Sequence, residues 1–131
     1  MAKYVYPAIF TKEENGFSIR FPDLDGCFTE GDTIAEGLEM AKDALCLMLY
    51  DKEECGDVIP TASQLSDIKV EAEEFKTLVM CDTLEYRKFF DSKAVKKTLT
   101  IPNWLNNMAE RQGINFSMTL QNALKQQLNI E

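Results

Sequence analysis

The sequence of 131 residues contains no histidine, and this absence excludes several common kinds of site. Without histidine there is no Ser-His or Cys-His nucleophile pair, no histidine general base and no Cys/His zinc set. No C-x-x-C pair occurs among the four cysteines, which are Cys27, Cys46, Cys55 and Cys81. We therefore expect reduced thiols that act as small core residues, with no bound metal and no cofactor.

Long apolar runs are also missing. The longest, Tyr4–Phe10 and Ala44–Tyr50, are far shorter than the ~20 residues that a membrane-spanning helix needs. The residues before Thr11 lack the apolar segment of a signal peptide. These absences predict a cytoplasmic protein. With only 6 glycines and 4 prolines, the composition is that of a folded protein rather than a collagenous or disordered one.

Charge is distributed unevenly along the chain, although the net charge is −8 overall. Up to Ser92 there are 9 Lys and Arg against 20 Asp and Glu, whereas residues 93–131 contain 5 against 2. An acidic region repels nucleic acid and suits a basic partner, while a basic region attracts phosphate. We predict two domains, residues 1–91 and residues 92–131.

The first domain has the pattern of a βββαβ unit followed by a short helix. Residues rich in aromatic and β-branched side chains, or alternating with period two, predict four strands. These are Tyr4–Phe10, Phe17–Phe21, Cys27–Glu30 and Phe75–Cys81. Asn15 and Gly16 suit the turn of a hairpin between the first two. Pro7 lacks an N–H, and we expect it at an edge or a bulge.

A long helix is predicted to begin after Thr33, which forms a capping box with Glu36. Apolar residues at spacings of three and four predict the stripe that faces the sheet. Its members are Ile34, Leu38, Ala41, Leu45 and Met48. The helix should end at Gly56, and a connector of weak periodicity should follow. A short helix is predicted over Thr83–Phe90.

Two segments of this domain carry a family resemblance. Pro22–Cys27 and Gly31–Leu38 resemble the P-D-L-x-G-C and G-D-T-x-x-E-A patterns of HicB-family antitoxins. Gly37 stands where alanine is usual, which is a loss of helix propensity. The resemblance implies a partial RNase H-like domain. It also implies a partner, the toxin HicA, a small mRNA-cleaving ribonuclease that resembles double-stranded-RNA-binding domains.

Acidic side chains are the candidate contacts for such a toxin. Asp23, Asp25 and Glu30 are the candidates, because steering between an acidic antitoxin and a basic RNA-binding protein is reasonable. For each of the two aspartates taken singly, turn chemistry, in which the side chain bonds nearby backbone, is favoured over a toxin contact.

A nuclease is the main alternative for an RNase H-like fold. Two-metal chemistry needs several carboxylates around ions ~4 Å apart, one of them in the first strand. Tyr4–Phe10 contains none, which leaves Glu36, Glu39 and Asp82 as possible remnants. We predict that these are surface charges, with no catalytic residue. An RNase H-like nuclease with a DNA-binding tail and a ligand-sensing regulator remain the alternatives.

The second domain begins with a predicted strand, Lys93–Ile101, that ends at Pro102. Leu99 and Ile101 lie on one face of this strand, and Lys96, Thr98 and Thr100 lie on the other. Two helices should follow, capped by Asn103 and Asn115 and separated by Gly113. A lone strand with two helices cannot pair its strand or bury both apolar stripes, so we expect a second copy of the chain.

The pattern V-K-K-T-L-T-I-P, followed by a helix, Gly113 and a second helix, resembles ribbon-helix-helix DNA-binding domains, which several HicB antitoxins carry. The resemblance implies a homodimer whose paired strands enter the major groove. The strand residues that would face the bases are Lys96, Thr98 and Thr100. Backbone amides at Phe116 and Ser117 would hold a phosphate. The combined prediction is a type II antitoxin and autorepressor that is not an enzyme.

Overall fold

A computed structural model describes residues 3–130, and it has the α+β class that the sequence predicts. The strands are β1 (Lys3–Glu13), β2 (Gly16–Arg20), β3 (Phe28–Gly31) and β4 (Glu74–Asp82). The helices are α1 (Ile34–Cys55), α2 (Thr83–Phe90), α3 (Asn103–Arg111) and α4 (Phe116–Gln127), with a 3-10 turn at Leu65–Asp67. Within residues 3–130, no helix is long and apolar enough to cross a bilayer.

The chain forms two compact units, Met1–Lys93 and Ala94–Glu131. We call them the N-terminal unit and the C-terminal unit. All four strands, α1 and α2 belong to the first, and α3 and α4 belong to the second. The functional division into residues 1–91 for toxin binding and 92–131 for DNA binding stays a prediction.

The four strands form one antiparallel sheet in the order β3-β2-β1-β4. The predicted hairpin is present, and Gly16 occupies its turn with a φ of +133°. Pro7 lies at an edge position as predicted, although β1 as a whole is an inner strand between β2 and β4. Pairing between β1 and β2 begins only at Ile9, which lies opposite Arg20. At Pro7, therefore, β1 pairs with β4 alone. The missing N–H of proline is tolerated where one side of the strand is unpaired.

Helix α1 packs on the sheet through three members of the predicted stripe, since Ala41 and Leu45 are buried and Met48 is partly buried against the core. Ile34 and Leu38 are exposed, whereas the buried residues are Gly37, Ala41, Leu45, Cys46 and Leu49. At the start of the helix Gly31 of β3 approaches α1 closely, since a Cβ added to Gly31 would lie 2.6 Å from the Gly37 nitrogen. Gly37 is more than a loss of helix propensity, because a Cβ at this position would lie 2.9 Å from Phe10 Cε2 in the core.

Local signals at both ends of α1 are confirmed. The Thr33 hydroxyl accepts a hydrogen bond from the Glu36 amide at 3.1 Å, and Gly56 ends the helix at a φ of +70°. The core of the N-terminal unit includes three of the cysteines, which are Cys27, Cys46 and Cys81, and the exposed fourth thiol is also unpaired. The prediction of reduced core cysteines therefore holds for three of the four.

Two predictions for the C-terminal unit need correction. Lys93–Ile101 forms no strand in this single chain, because a β-strand requires a partner for its backbone N–H and C=O groups. Asn103 is the first residue of α3 rather than its cap, a position that Pro102 takes. Asn115 does cap α4, since its side chain accepts from the Met118 amide at 3.0 Å.

A buried carboxylate connects three elements of the N-terminal unit. Glu53 of α1 accepts hydrogen bonds from the Tyr4 hydroxyl at 2.8 Å, the Thr83 hydroxyl at 3.0 Å and Arg87 Nη2 at 3.0 Å. Its side chain is only 8% exposed. Burial alone would raise the pKa of Glu53, but hydrogen bonds, including these three, lower it from 4.5 to about 2.

Glu53→Gln is therefore expected to lower the free energy of unfolding by on the order of 2 to 3 kcal/mol at pH 7. A depressed carboxyl pKa contributes stability that is complete above 4.5 and is lost as the pH falls toward about 2. The difference between variant and wild type should shrink across that window in urea titrations, with the exposed Glu39→Gln as control. A difference that stays constant down to pH 2.5 would contradict this role.

Candidate protein and nucleic-acid interfaces

The segment before α3, residues 94–102, has neither helix nor strand, and we call it the extended segment. Between this segment and α4 the C-terminal unit contains an apolar groove of about 510 Å³. The residues that line it are Lys97, Leu99, Ile101, Asn106, Phe116, Ser117, Thr119, Leu120 and Ala123. From the extended segment, only the odd-numbered residues 97, 99 and 101 line the groove. Lys96, Thr98 and Thr100 do not, and all three are exposed. The segment thus presents one apolar side to α4 and a separate polar side.

Much of the apolar surface of this unit is exposed in the single chain. No residue of α3 or α4 is buried, and Leu99 remains 61% exposed. Other large apolar side chains that are exposed include Ile101, Leu105, Phe116, Leu124 and Leu128. Large apolar side chains exposed in this number on so small a unit are typical of an interaction surface.

The two helical candidates for phosphate binding lie at the start of α4. Phe116 and Ser117 are its first residues, directly after the Asn115 cap. Amides in the first turn of a helix have no intrahelical acceptor, and they lie at the positive end of the helix dipole. The placement is compatible with anion binding, and the role stays a prediction.

The acidic candidates of the N-terminal unit differ in their surroundings. Asp23 accepts hydrogen bonds from the Ser63 amide at 2.9 Å and the Ser63 hydroxyl at 2.6 Å, so it fastens the turn after β2 to the connector. Asp25 and Glu30 are exposed. Asp23 therefore has a structural role, but its partner is the distant Ser63 and not the nearby backbone that turn chemistry predicts. The side chains of Asp25 and Glu30 are accessible to a partner.

The three acids considered for a nuclease have no shared site. Asp82 caps α2, and its carboxylate accepts from the amides of Leu84 at 3.0 Å and Glu85 at 3.3 Å. Glu36 and Glu39 are exposed on α1. Over residues 3–130, no group of three or more Cys, Asp or Glu side chains is placed to hold a metal ion.

A second apolar groove, which the sequence reasoning missed, lies between β3 and α1. It measures about 380 Å³ and is lined by Gly26, Cys27, Phe28, Ala44, Leu47, Met48 and Asp51. Phe28 is 73% exposed and Leu47 is 57% exposed. The sequence signal was the presence of Met40 and Leu47, large apolar residues outside the stripe predicted to face the sheet. We call this feature the β3–α1 groove.

Comparison with known proteins places the chain in a family. Residues 6–124 match the profile described as a HicB-like antitoxin of a bacterial toxin-antitoxin system. The chain is 39% identical over 66 residues to antitoxin HicB 2 of Photorhabdus laumondii, and 37% identical over 62 residues to antitoxin HicB of Escherichia coli K12. These matches span 50% and 47% of this chain, and about half the length of each relative, 48% and 45%.

Solved structures match over more of the chain. A chain of a toxin-antitoxin complex from Streptococcus pneumoniae superimposes with a TM-score of 0.62 at 26% identity, covering 95% of this chain and 99% of that one. A chain of the HicA3 and HicB3 toxin-antitoxin complex gives a TM-score of 0.51 at 27% identity, covering 60% of this chain and 99% of that one. Since the family profile covers most of both units, the chain belongs to the HicB-like antitoxins of bacterial toxin-antitoxin systems.

Proposed function

We propose that this protein neutralises a HicA-like, mRNA-cleaving toxin through its N-terminal unit and represses its own operon through its C-terminal unit. In this proposal the N-terminal unit is a partial RNase H-like domain. The C-terminal unit is one half of a ribbon-helix-helix dimer bound to operator DNA. The separation of charge between the two units carries the proposal, because one chain then offers an acidic surface and a basic surface.

Toxin binding is supported by the acidic surface of the N-terminal unit. A ribonuclease must contact RNA phosphates and so needs basic groups, which an acidic antitoxin attracts and covers. One relative of known structure comes from a complex of HicA3 and HicB3, and a chain of that complex aligns over 60% of this chain. Binding to this surface would place the antitoxin in competition with RNA.

Operator binding is supported by the alternation in the extended segment. Leu99 and Ile101 line the groove beside α4, so the opposite side of the extended segment is available for a nucleic acid. A second copy would supply the missing strand and cover the exposed apolar residues of both helices. The paired strands would then present Lys96, Thr98 and Thr100 together toward base edges in the major groove.

Co-expression tests the toxin-binding part. The full chain should restore growth to cells that produce the HicA-like toxin of its own operon, and should co-purify with that toxin. Toxin carrying a substitution that abolishes RNA cleavage allows the complex to be purified without growth arrest. Growth arrest in the presence of soluble, folded antitoxin would contradict the proposal.

A further inference from the structure

Two of the buried cysteines meet where α1 packs on β4. Cys46 lies on the buried side of α1, and Cys81 alternates with the exposed Met80 along β4, so that its side chain enters the core with that of Val79. Both thiols are free, and a hydrogen bond joins them. A disulfide between Cys46 and Cys81 would therefore link two elements that are already packed together.

A cavity of about 470 Å³ gives access to one member of this pair. It lies among β4, α1 and α2, and Cys46 lines it together with Lys42, which precedes Cys46 by one turn of the helix. Its volume is many times the ~30 Å³ that a water molecule occupies, so a small polar oxidant can enter. Cys81 is not among the lining residues. An oxidant in the cavity therefore meets Cys46 first.

The surroundings of Cys46 favour its thiolate, which is the reactive form of cysteine. Its pKa is lowered chiefly by the hydrogen bond with Cys81, and further by the Lys42 ammonium and the backbone amide of Asp82, while burial and Asp43 act in the opposite direction. The same hydrogen bond and burial raise the pKa of Cys81, which keeps its proton. An attacking thiol in contact with a second thiol is the arrangement of a redox-sensitive pair.

We propose that Cys46 and Cys81 are a peroxide-reactive thiol pair, which closes to a disulfide between α1 and β4 within the intact fold. The Cys46 thiolate attacks one oxygen of hydrogen peroxide, the O–O bond breaks, and hydroxide leaves, so that Cys46 becomes a sulfenic acid. The Cys81 sulfur then attacks the Cys46 sulfur, the S–O bond breaks, and the hydroxyl group leaves as water with the Cys81 proton. The two cysteines lose two electrons, and the peroxide gains them.

The other two cysteines serve as internal references. Cys55 is the last residue of α1 and is exposed. Cys27 is buried directly before β3, and burial raises its pKa to about 11, which keeps this thiol unreactive. Two strands separate β3 from β4. Since neighbouring strands lie ~4.8 Å apart, Cys27 and Cys81 exceed the ~7 Å between Cα atoms that a disulfide allows.

Tryptic mapping of the full chain with Cys55→Ser tests the pair, because this substitution removes the exposed thiol that can link two chains. Cleavage after lysine and arginine places Cys46 in residues 43–52 and Cys81 in residues 77–87. After brief treatment with hydrogen peroxide, the reaction is stopped with catalase and the remaining thiols are alkylated in denaturant. We expect most of the two peptides to be linked, with Cys27 alkylated, and dithiothreitol to separate them. Peptides that stay separate after peroxide, or a link through Cys27, would overturn the proposal.

Unfolding of the same protein tests whether the bond closes within the fold. The oxidised form should unfold at a urea concentration higher by about 1 M than the reduced form, because a cross-link restricts the unfolded chain. A lower midpoint would show that closing the bond disrupts the packing of α1 on β4, and would overturn that part of the proposal.

A further variant tests which thiol attacks. Cys81→Ala should stop the reaction at the sulfenic acid of Cys46, and dimedone should label this residue. A dimedone adduct on Cys27 and not on Cys46 would contradict the assignment. If Cys81→Ala does not fold, the peptide map of the Cys55→Ser protein decides the proposal without it.

Discussion

Replacing Leu99 by alanine should destabilise the C-terminal dimer by on the order of 2 to 5 kcal/mol and thereby abolish operator binding at low protein concentration. In the single chain Leu99 lines the groove beside α4 yet remains 61% exposed, so a second copy has apolar surface left to cover. Removing the side chain leaves a cavity at the proposed dimer contact. Thermal melts at several protein concentrations measure the loss.

The neighbouring substitution, Thr98→Ala, should have a different effect. Thr98 does not line the groove, and adjacent residues of an extended segment point to opposite sides. The dimer should remain folded, while discrimination between operator and scrambled DNA should fall by ~1 to 3 kcal/mol if one good base contact is lost. If instead Thr98→Ala unfolds the unit and Leu99→Ala only weakens DNA binding, the assignment of the two faces is wrong.

Gly31→Ala should destabilise the N-terminal unit by at least ~2 kcal/mol, and lower its melting temperature by about 10 °C. The added Cβ would lie 2.6 Å from the nitrogen and 2.7 Å from the Cα of Gly37, and neither backbone atom can move without shifting α1 from the sheet. Differential scanning calorimetry of the full chain measures the effect.

Gly37→Ala is the matched control for this prediction. Its Cβ would meet side-chain atoms of two buried core residues, Phe10 Cε2 at 2.9 Å and Ile19 Cδ1 at 3.1 Å, and no backbone atom within that distance. These side chains must shift, which costs stability, but alanine improves helix propensity by ~1 kcal/mol and offsets part of the cost. Gly37→Ala should therefore destabilise the unit less than Gly31→Ala does. Equal destabilisation by both alanines would show that the contact between the two glycines is not what limits packing.

Local sequence signals predict most of the N-terminal fold. The hairpin turn at Gly16, the Thr33 cap, the end of α1 at Gly56 and the helix Thr83–Phe90 all depend on residues close together in sequence, and each is present in the structure. Their conformational preferences act over a few residues, so that a single sequence suffices to place them. The family membership likewise agrees with the prediction of an antitoxin that is not an enzyme.

The features that sequence reasoning missed depend on contacts between distant residues. At the start of α1 the predicted stripe fails, because Ile34 and Leu38 are exposed and the helix instead approaches β3 closely between Gly31 and Gly37, a contact that helical periodicity alone does not contain. The bond between Asp23 and Ser63 joins residues 40 positions apart. The segment Lys93–Ile101 has the composition of a strand, but no strand of the described chain pairs with its backbone.

The most direct test of the account is to separate the two activities in one pair of proteins. The full chain and residues 1–93 are each expressed beside the toxin and titrated with operator DNA, with circular dichroism to establish folding. We predict that both proteins restore growth, and that only the full chain binds the operator in preference to scrambled DNA. A folded 1–93 fragment that fails to restore growth, or that binds the operator as the full chain does, would contradict the division of function between the units.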